Sequence, residues 1–140
     1  MKLVTWNVNS LKMRLPRVLE FLEKHRPEVL CLQELKTEDA GFPAAEFRAL
    51  GYEMALFGQR TYNGVAILSR APLLEIERGL PEGPGGPDPQ ARLIAATTFG
   101  LRVISAYFPN GQAVGSDKFA YKLDWMERLH REALGELGRL

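Results

Sequence analysis

Residues 29–36, VLCLQELK, decide how this chain folds. Val29 to Leu32 are apolar at consecutive positions, the pattern of a strand buried on both faces. Such a strand belongs inside an α/β sheet. The run then stops on Gln33, Glu34 and Lys36, which puts a carboxylate and an amine where turn residues are the usual ending. Upstream, residues 2–7 (KLVTWN) alternate and carry β-branched and aromatic side chains, so they read as a strand. Residues 15–26 (LPRVLEFLEKHR) set Leu15, Val18, Leu19 and Leu22 at helical spacing. Pro16 suits only the first turn of that helix, and Pro27 ends it. Strand, helix and strand within about thirty residues form a βαβ unit, so the first two strands should be parallel.

Further along, the pattern predicts a short helix near 43–50 ended by Gly51, and strands near 52–58, 63–70 and 73–78, with a turn signal at Asn63-Gly64. The Pro/Gly stretch 81–90 reads as a mobile connection. Residues 91–99 and 101–108 read as a hairpin about Gly100. A helix is expected from Asp117 to about Gly138, with Phe119, Leu123, Met126, Ala133 and Leu137 along one stripe. In GVAILS, Val65 and Ile67 face one way and Ala66 and Leu68 the other; Val103 likewise opposes Ile104 and Ala106. Both faces therefore want cover, and three helices can cover one. The expectation is an α/β domain with one mixed β-sheet of about six or seven strands, helices mainly on one face, and a second apolar face left for something else to cover.

At 140 residues the chain is one domain at most. A formal net charge of +1 announces no nucleic-acid partner in bulk, so any such binding needs a local cluster of Lys and Arg. The one cysteine, Cys31, lies inside the apolar run and reads as a core residue of a reducing compartment. MKLVTW leads directly into polar sequence with no long apolar span, so no membrane association is expected and the cytoplasm is the expected location.

Three strands end alike. Asn7 follows the first, Glu34 the second and Tyr107 the last. In α/β sheets the carboxyl ends of parallel neighbours open on one crevice where ligands bind. An amide, a carboxylate and a phenol, all oxygen donors, suit a hard divalent cation beside a phosphate. Each residue also has a plainer reading: Asn7 starts a turn, Glu34 is a solvated carboxylate, Tyr107 is a packing residue, and Pro109-Asn110-Gly111 is a turn. No histidine pair, CxxC, GxSxG or Walker sequence occurs.

The segment WNVNSLKMRLPRVLEFLEKHRPEVLCLQELK, together with NGVAILSR, ARLIAA and SAYFPNG, resembles the exonuclease III family of DNA-repair nucleases, within the endonuclease/exonuclease/phosphatase superfamily. The likeness runs in order along almost the entire chain. It implies half of a four-layer α/β sandwich and a Mg²⁺-dependent (or Mn²⁺-dependent) phosphodiesterase. Its expected partner is double-stranded DNA with abasic sites or 3′ ends. By resemblance Glu34 is the metal ligand, Asn7 orients the metal or its water, and Tyr107 stabilises the phosphate or the leaving oxygen. Asn110 matches a phosphate-contacting asparagine, while Lys36, Asn63 and Arg92 fall on the DNA-facing rim.

Members of that family are much longer, and their second half brings a GDFN-type motif and a later Asp–His pair that this sequence does not contain. Residues 1–140 are therefore expected to be the N-terminal half of such a catalytic domain, a single incomplete domain holding half a site. Two alternatives stand beside this. One is a catalytically silent interaction or DNA-binding module forming a homodimer through the exposed sheet face. The other is a self-standing small phosphoesterase whose base is one of Glu38, Asp39, Asp88 or Asp117.

Overall fold

A computed structural model describes residues 1–80, 86 and 88–138, with side chains described to residue 135. Most of the Pro/Gly stretch 81–90, expected to be mobile, lies outside the described residues, as does the side chain of Leu137. Two compact units form. The first joins Met1–Arg78 to Ala91–Tyr107, and the second joins Gly79–Gln90 to Phe108–Leu140.

In the first unit the elements run β1 (Leu3–Asn7), α1 (Leu11–His25), β2 (Val29–Gln33), α2 (Ala44–Ala49), β3 (Glu53–Phe57), β4 (Val65–Ser69), β5 (Leu74–Arg78), β6 (Leu93–Thr98) and β7 (Leu101–Ala106). A single 3₁₀ turn, Asp39–Gly41, precedes α2. As the βαβ spacing requires, β1 and β2 pair in parallel, with Leu3 opposite Val29 and Asn7 opposite Gln33. β2 continues antiparallel to β4, and β4 to β3, giving a mixed four-stranded sheet in the order β1-β2-β4-β3.

The α/β class, the mixed sheet and the seven strands agree with the expectation, but the strands divide into two sheets rather than one. β5, β6 and β7 form a separate antiparallel sheet in that order. This changes where the second apolar face goes. Leu30, Leu32, Ala66 and Leu68 bury against Leu11, Val18 and Leu22 of α1 and Phe47 of α2. Val29, Cys31, Val65 and Ile67 point the other way and bury against Ile94, Ala96 and Val103 of the second sheet. The face expected to lie exposed in β2 and β4 is thus covered from within the unit. At β1 the cover ends: Leu3 remains 56% exposed.

Two helices also differ from the sequence reading. α1 begins at Leu11, where Ser10 accepts a hydrogen bond from the Met13 N–H, so Pro16 lies beyond the first turn. α3 (Asp117–Gly138), in the second unit, buries Trp125 and Arg128, whereas Leu123 and Met126 are exposed. Its buried stripe is centred on Trp125, whose ring meets Phe108 edge-on, and not on the smaller aliphatic side chains. The hairpin about Gly100 is present, with Phe99 and Gly100 both at positive φ as a two-residue connection of this twist demands.

Candidate functional site

One edge of the first unit collects the carboxyl ends of β1, β2 and β7 and the amino ends of β4 and β6. Backbone bonds continue past the strand ends and stitch the loops together. Val8, Ser10 and Leu11 donate to the carbonyls of Gln33, Glu34 and Leu35. Leu35 and Lys36 donate in turn to Gly64 and Asn63, Gly64 to Ala91, and Tyr107 to Arg92. The loops need this support, because Asn9, Ser10, Glu34, Lys36 and Asn63 all have positive φ.

Glu34 stands at the centre. Its side chain is partly buried, and Asn7 Nδ2 donates to Oε1 at 3.3 Å. Asn7 Oδ1 meanwhile accepts from the Asn9 N–H at 3.1 Å, an Asx turn that aims the amide nitrogen at Glu34. The turn-starting and site readings of Asn7 are thus both realised in one side chain. Lys36 Nζ lies 3.5 Å from Glu34 Oε2 and donates to Asn9 Oδ1 at 2.7 Å. The exposed Lys36 is therefore held over the carboxylate at both ends of its reach.

Tyr107 comes from the other sheet. Its phenol lies near enough to the Glu34 carboxylate and the Arg92 side chain for both to act on it. The Arg92 guanidinium sits over the Tyr107 ring, 4.8 Å from its centroid, and Nη1 donates to the Tyr107 carbonyl at 3.4 Å. Burial, then the bond to Glu34 and its negative charge, push the phenol above its ordinary pKa, and Arg92 opposes them. Tyr107 is consequently a neutral O–H donor near neutral pH.

Of the residues expected on the rim, Lys36 and Arg92 join this cluster. Asn63 enters through its backbone: its side chain is buried and donates to Gln59 Oε1 at 3.0 Å, while its carbonyl receives the Lys36 N–H. Asn110 belongs to the second unit, where its side chain accepts from the Gln112 N–H in an Asx turn. Among the described residues no three His, Cys, Asp or Glu side chains gather into a metal-binding group, and no helix is long and apolar enough to cross a membrane.

The fold and this edge define a class: α/β proteins of two facing sheets with oxygen-donor side chains gathered at the joined strand ends. Comparison with known proteins makes this specific. Residues 4–139 match the Endonuclease/Exonuclease/phosphatase family, and the chain belongs to it. It is 38% identical over 117 residues to exodeoxyribonuclease III of Haemophilus influenzae, covering 81% of this chain and 43% of that one. A 3′ phosphatase from Neisseria, solved bound to a product DNA hairpin, matches with a TM-score of 0.94 at 47% identity, over 99% of this chain and 53% of that one. An AP endonuclease from Archaeoglobus fulgidus matches with a TM-score of 0.85 at 40% identity, over 91% and 49%. The chain spans about half the length of these relatives. The similarity to DNA-repair nucleases is thus shown in sequence and in fold.

Proposed function

We propose that this chain forms the metal- and phosphate-holding part of a DNA-repair phosphodiesterase, one that hydrolyses DNA beside abasic sites or at 3′ ends. The observation that carries the reading is the Glu34 carboxylate, flanked by the Asn7 amide, the Lys36 ammonium and the Tyr107 phenol at one strand edge. The donor set fits Mg²⁺ or Mn²⁺: it offers carboxylate oxygen without thiol or imidazole, and Mg²⁺ commonly takes one or two carboxylates and keeps its remaining waters. Glu34 would hold the ion, with Asn7 fixing the carboxylate. Bound there, the ion would neutralise phosphate charge and acidify a water.

The chain's own groups bind and orient. Tyr107, kept protonated, can donate to a phosphate oxygen, and Lys36 and Arg92 supply positive charge where a phosphate would lie. Asn110 is assigned a phosphate contact by its family resemblance. A water-activating base has no candidate in the cluster, and the reading takes that group from sequence outside this chain.

The test mixes the 140-residue chain with the C-terminal half of the Neisseria relative and a duplex bearing one abasic site. Mg²⁺-dependent cleavage at that site, lost in Glu34→Ala, is expected, with the chain alone inactive. If Mn²⁺ broadens no NMR signal of residues 34–36 in the free chain, the metal reading is wrong. If the purified chain alone cleaves and Glu34→Ala abolishes it, the need for an outside base is wrong.

A further inference from the structure

Neither sheet can by itself place Tyr107 against Glu34, because β2 and β7 lie in different sheets and share no hydrogen-bonded ladder. The contact between the sheets is mainly apolar, through Cys31, Val65, Ile67, Ile94, Ala96 and Val103. Apolar packing is non-directional and sets no register along the strands. A directed bond is needed at the end where the site lies.

Gln33 supplies it. The residue is 7% exposed, at the inward-facing position of β2 directly before Glu34. Its Nε2 donates to Thr5 Oγ1 at 2.9 Å and to Ser105 Oγ at 3.1 Å. Ser105 Oγ donates at 3.1 Å to the Leu32 carbonyl, so its one proton is committed and it must accept from Gln33. That commitment also fixes which way the Gln33 amide faces. Thr5 lies two residues before Asn7 on β1, and Ser105 two residues before Tyr107 on β7. Ser105 and Tyr107 share a strand face, and Tyr107 packs on the inter-sheet cluster.

We propose that Gln33 is the positioning residue of this site: its carboxamide pins β1, β2 and β7 to one another just before each strand presents Asn7, Glu34 or Tyr107. That these three residues form a site rests on the proposed nuclease function; the pinning of the strands does not. A further buried bond, between the Ser69 and Thr98 hydroxyls at 2.6 Å, crosses between the same two sheets at the end away from the site. It is a built-in control for mere sheet stabilisation.

The experiment is NMR on the full metal-free chain. It follows the Asn7 side-chain amide shift, referenced to Glu34→Ala, and the Tyr107-to-Glu34 side-chain NOE. Thr5→Val should move the Asn7 amide and spare the NOE. Ser105→Ala should do the reverse, cutting the NOE by about half or more, as a displacement of about 0.5 Å does in so steeply distance-dependent a signal. Gln33→Met should change both, and Ser69→Ala neither. If Gln33→Met does not fold, Gln33→Leu takes its place, because Ser105→Ala also removes the bond from Ser105 to the Leu32 carbonyl. The proposal is overturned if Ser105→Ala leaves the NOE intact, if Thr5→Val leaves the Asn7 amide in place, or if Ser69→Ala disturbs the site as much as Ser105→Ala does. Failure of the nuclease reading shows separately, as an absence of Mn²⁺ broadening at residues 34–36 in the wild-type chain.

Discussion

Gly64 is where the loops of the site can be tested most sharply. Its N–H donates to Ala91 at 2.9 Å and its carbonyl accepts from Leu35 at 3.1 Å, so it joins the end of β2 to the start of β6. Its φ is +92°, and a Cβ built there would lie 3.0 Å from Leu35 Cβ and 3.4 Å from Leu35 Cγ. Leu35 is 1% exposed and sits between Glu34 and Lys36, so it cannot retreat without moving both. Two other glycines separate the contributions. Gly100, at φ +71°, has nothing within 4 Å of such a Cβ, whereas Gly58 has no positive φ but would meet the Thr37 carbonyl oxygen at 2.5 Å and the Asp39 nitrogen at 2.8 Å.

Left-handed backbone costs a residue with a side chain roughly 1–2 kcal/mol, and replacing glycine regains about 0.4–1 kcal/mol from the unfolded chain. Gly100→Ala should therefore lose about 1 kcal/mol or less. Gly64→Ala adds overpacking of about 1–3 kcal/mol and should lose about 2–4 kcal/mol in all. Gly58→Ala carries no left-handed strain, but it presses on backbone and should lose about 2 kcal/mol. Urea unfolding followed by far-UV circular dichroism gives the ranking. Mn²⁺ broadening of Glu34 should weaken in Gly64→Ala and stay unchanged in Gly100→Ala. A Gly64→Ala chain as stable as Gly100→Ala would refute the packing argument, and one with unaltered Glu34 and Lys36 signals would refute its link to the site.

Other expectations follow from single side chains. Burial pushes the Cys31 thiol from 9.0 up to about 11. The unfolded thiol ionises first, so stability present below about pH 9 should fall by roughly 2–3 kcal/mol as pH rises towards 11. The difference in urea midpoint between wild type and Cys31→Ala should shift over that range, and a constant difference would contradict the shift. Tyr52, 1% exposed, donates to the Pro27 carbonyl at 2.6 Å. Tyr52→Phe leaves that acceptor unpaired and should cost about 1–3 kcal/mol in a denaturant titration; a neutral outcome would mean that water reaches Pro27. Glu34→Gln removes two of the causes that raise the Tyr107 pKa, so the phenol should ionise at lower pH in an ultraviolet titration referenced to Tyr107→Phe. An unmoved titration would place the two groups out of reach of each other.

How far the sequence could be read follows from which interactions are local. The strand VLCLQ, the parallel pairing of β1 with β2 and the polar residues at their ends follow from periodicity and connection length, and the structure has them where expected. Periodicity reports which faces are apolar and says nothing of what covers them. Val29 and Cys31 present the same pattern whether a helix, a second sheet or another chain packs on them, so periodicity alone does not separate β5–β7 from the first sheet. α3 fails for a related reason. Leu123 and Met126 score as core by type, but the single large ring of Trp125 buries more surface and sets the stripe, and Arg128 follows it inward. The Gln33 pin had a readable signal: an amide on the inward parity of a strand buried on both faces must find partners. Their identity is non-local, lying 28 and 72 residues away.

The same distinction bears on why the site is built from strained loops. Asn9, Ser10, Glu34, Lys36 and Asn63 at positive φ cost on the order of 1–3 kcal/mol each, so these loops would not hold their shape as isolated segments. They hold because each is bonded to the next, from Ser10 to Glu34, Lys36 to Asn63 and Gly64 to Ala91, and because two sheets fix where those chains begin. Relaxing Ser10, Glu34, Lys36 or Asn63 to an extended conformation would break a backbone bond to a neighbouring loop. The arrangement therefore exists in the folded chain without a ligand, and on the proposed nuclease reading a metal or a phosphate would meet it already formed. Ordering of Glu34 is contributed by folding, and binding energy is not spent on assembling the carboxylate, the amide and the phenol.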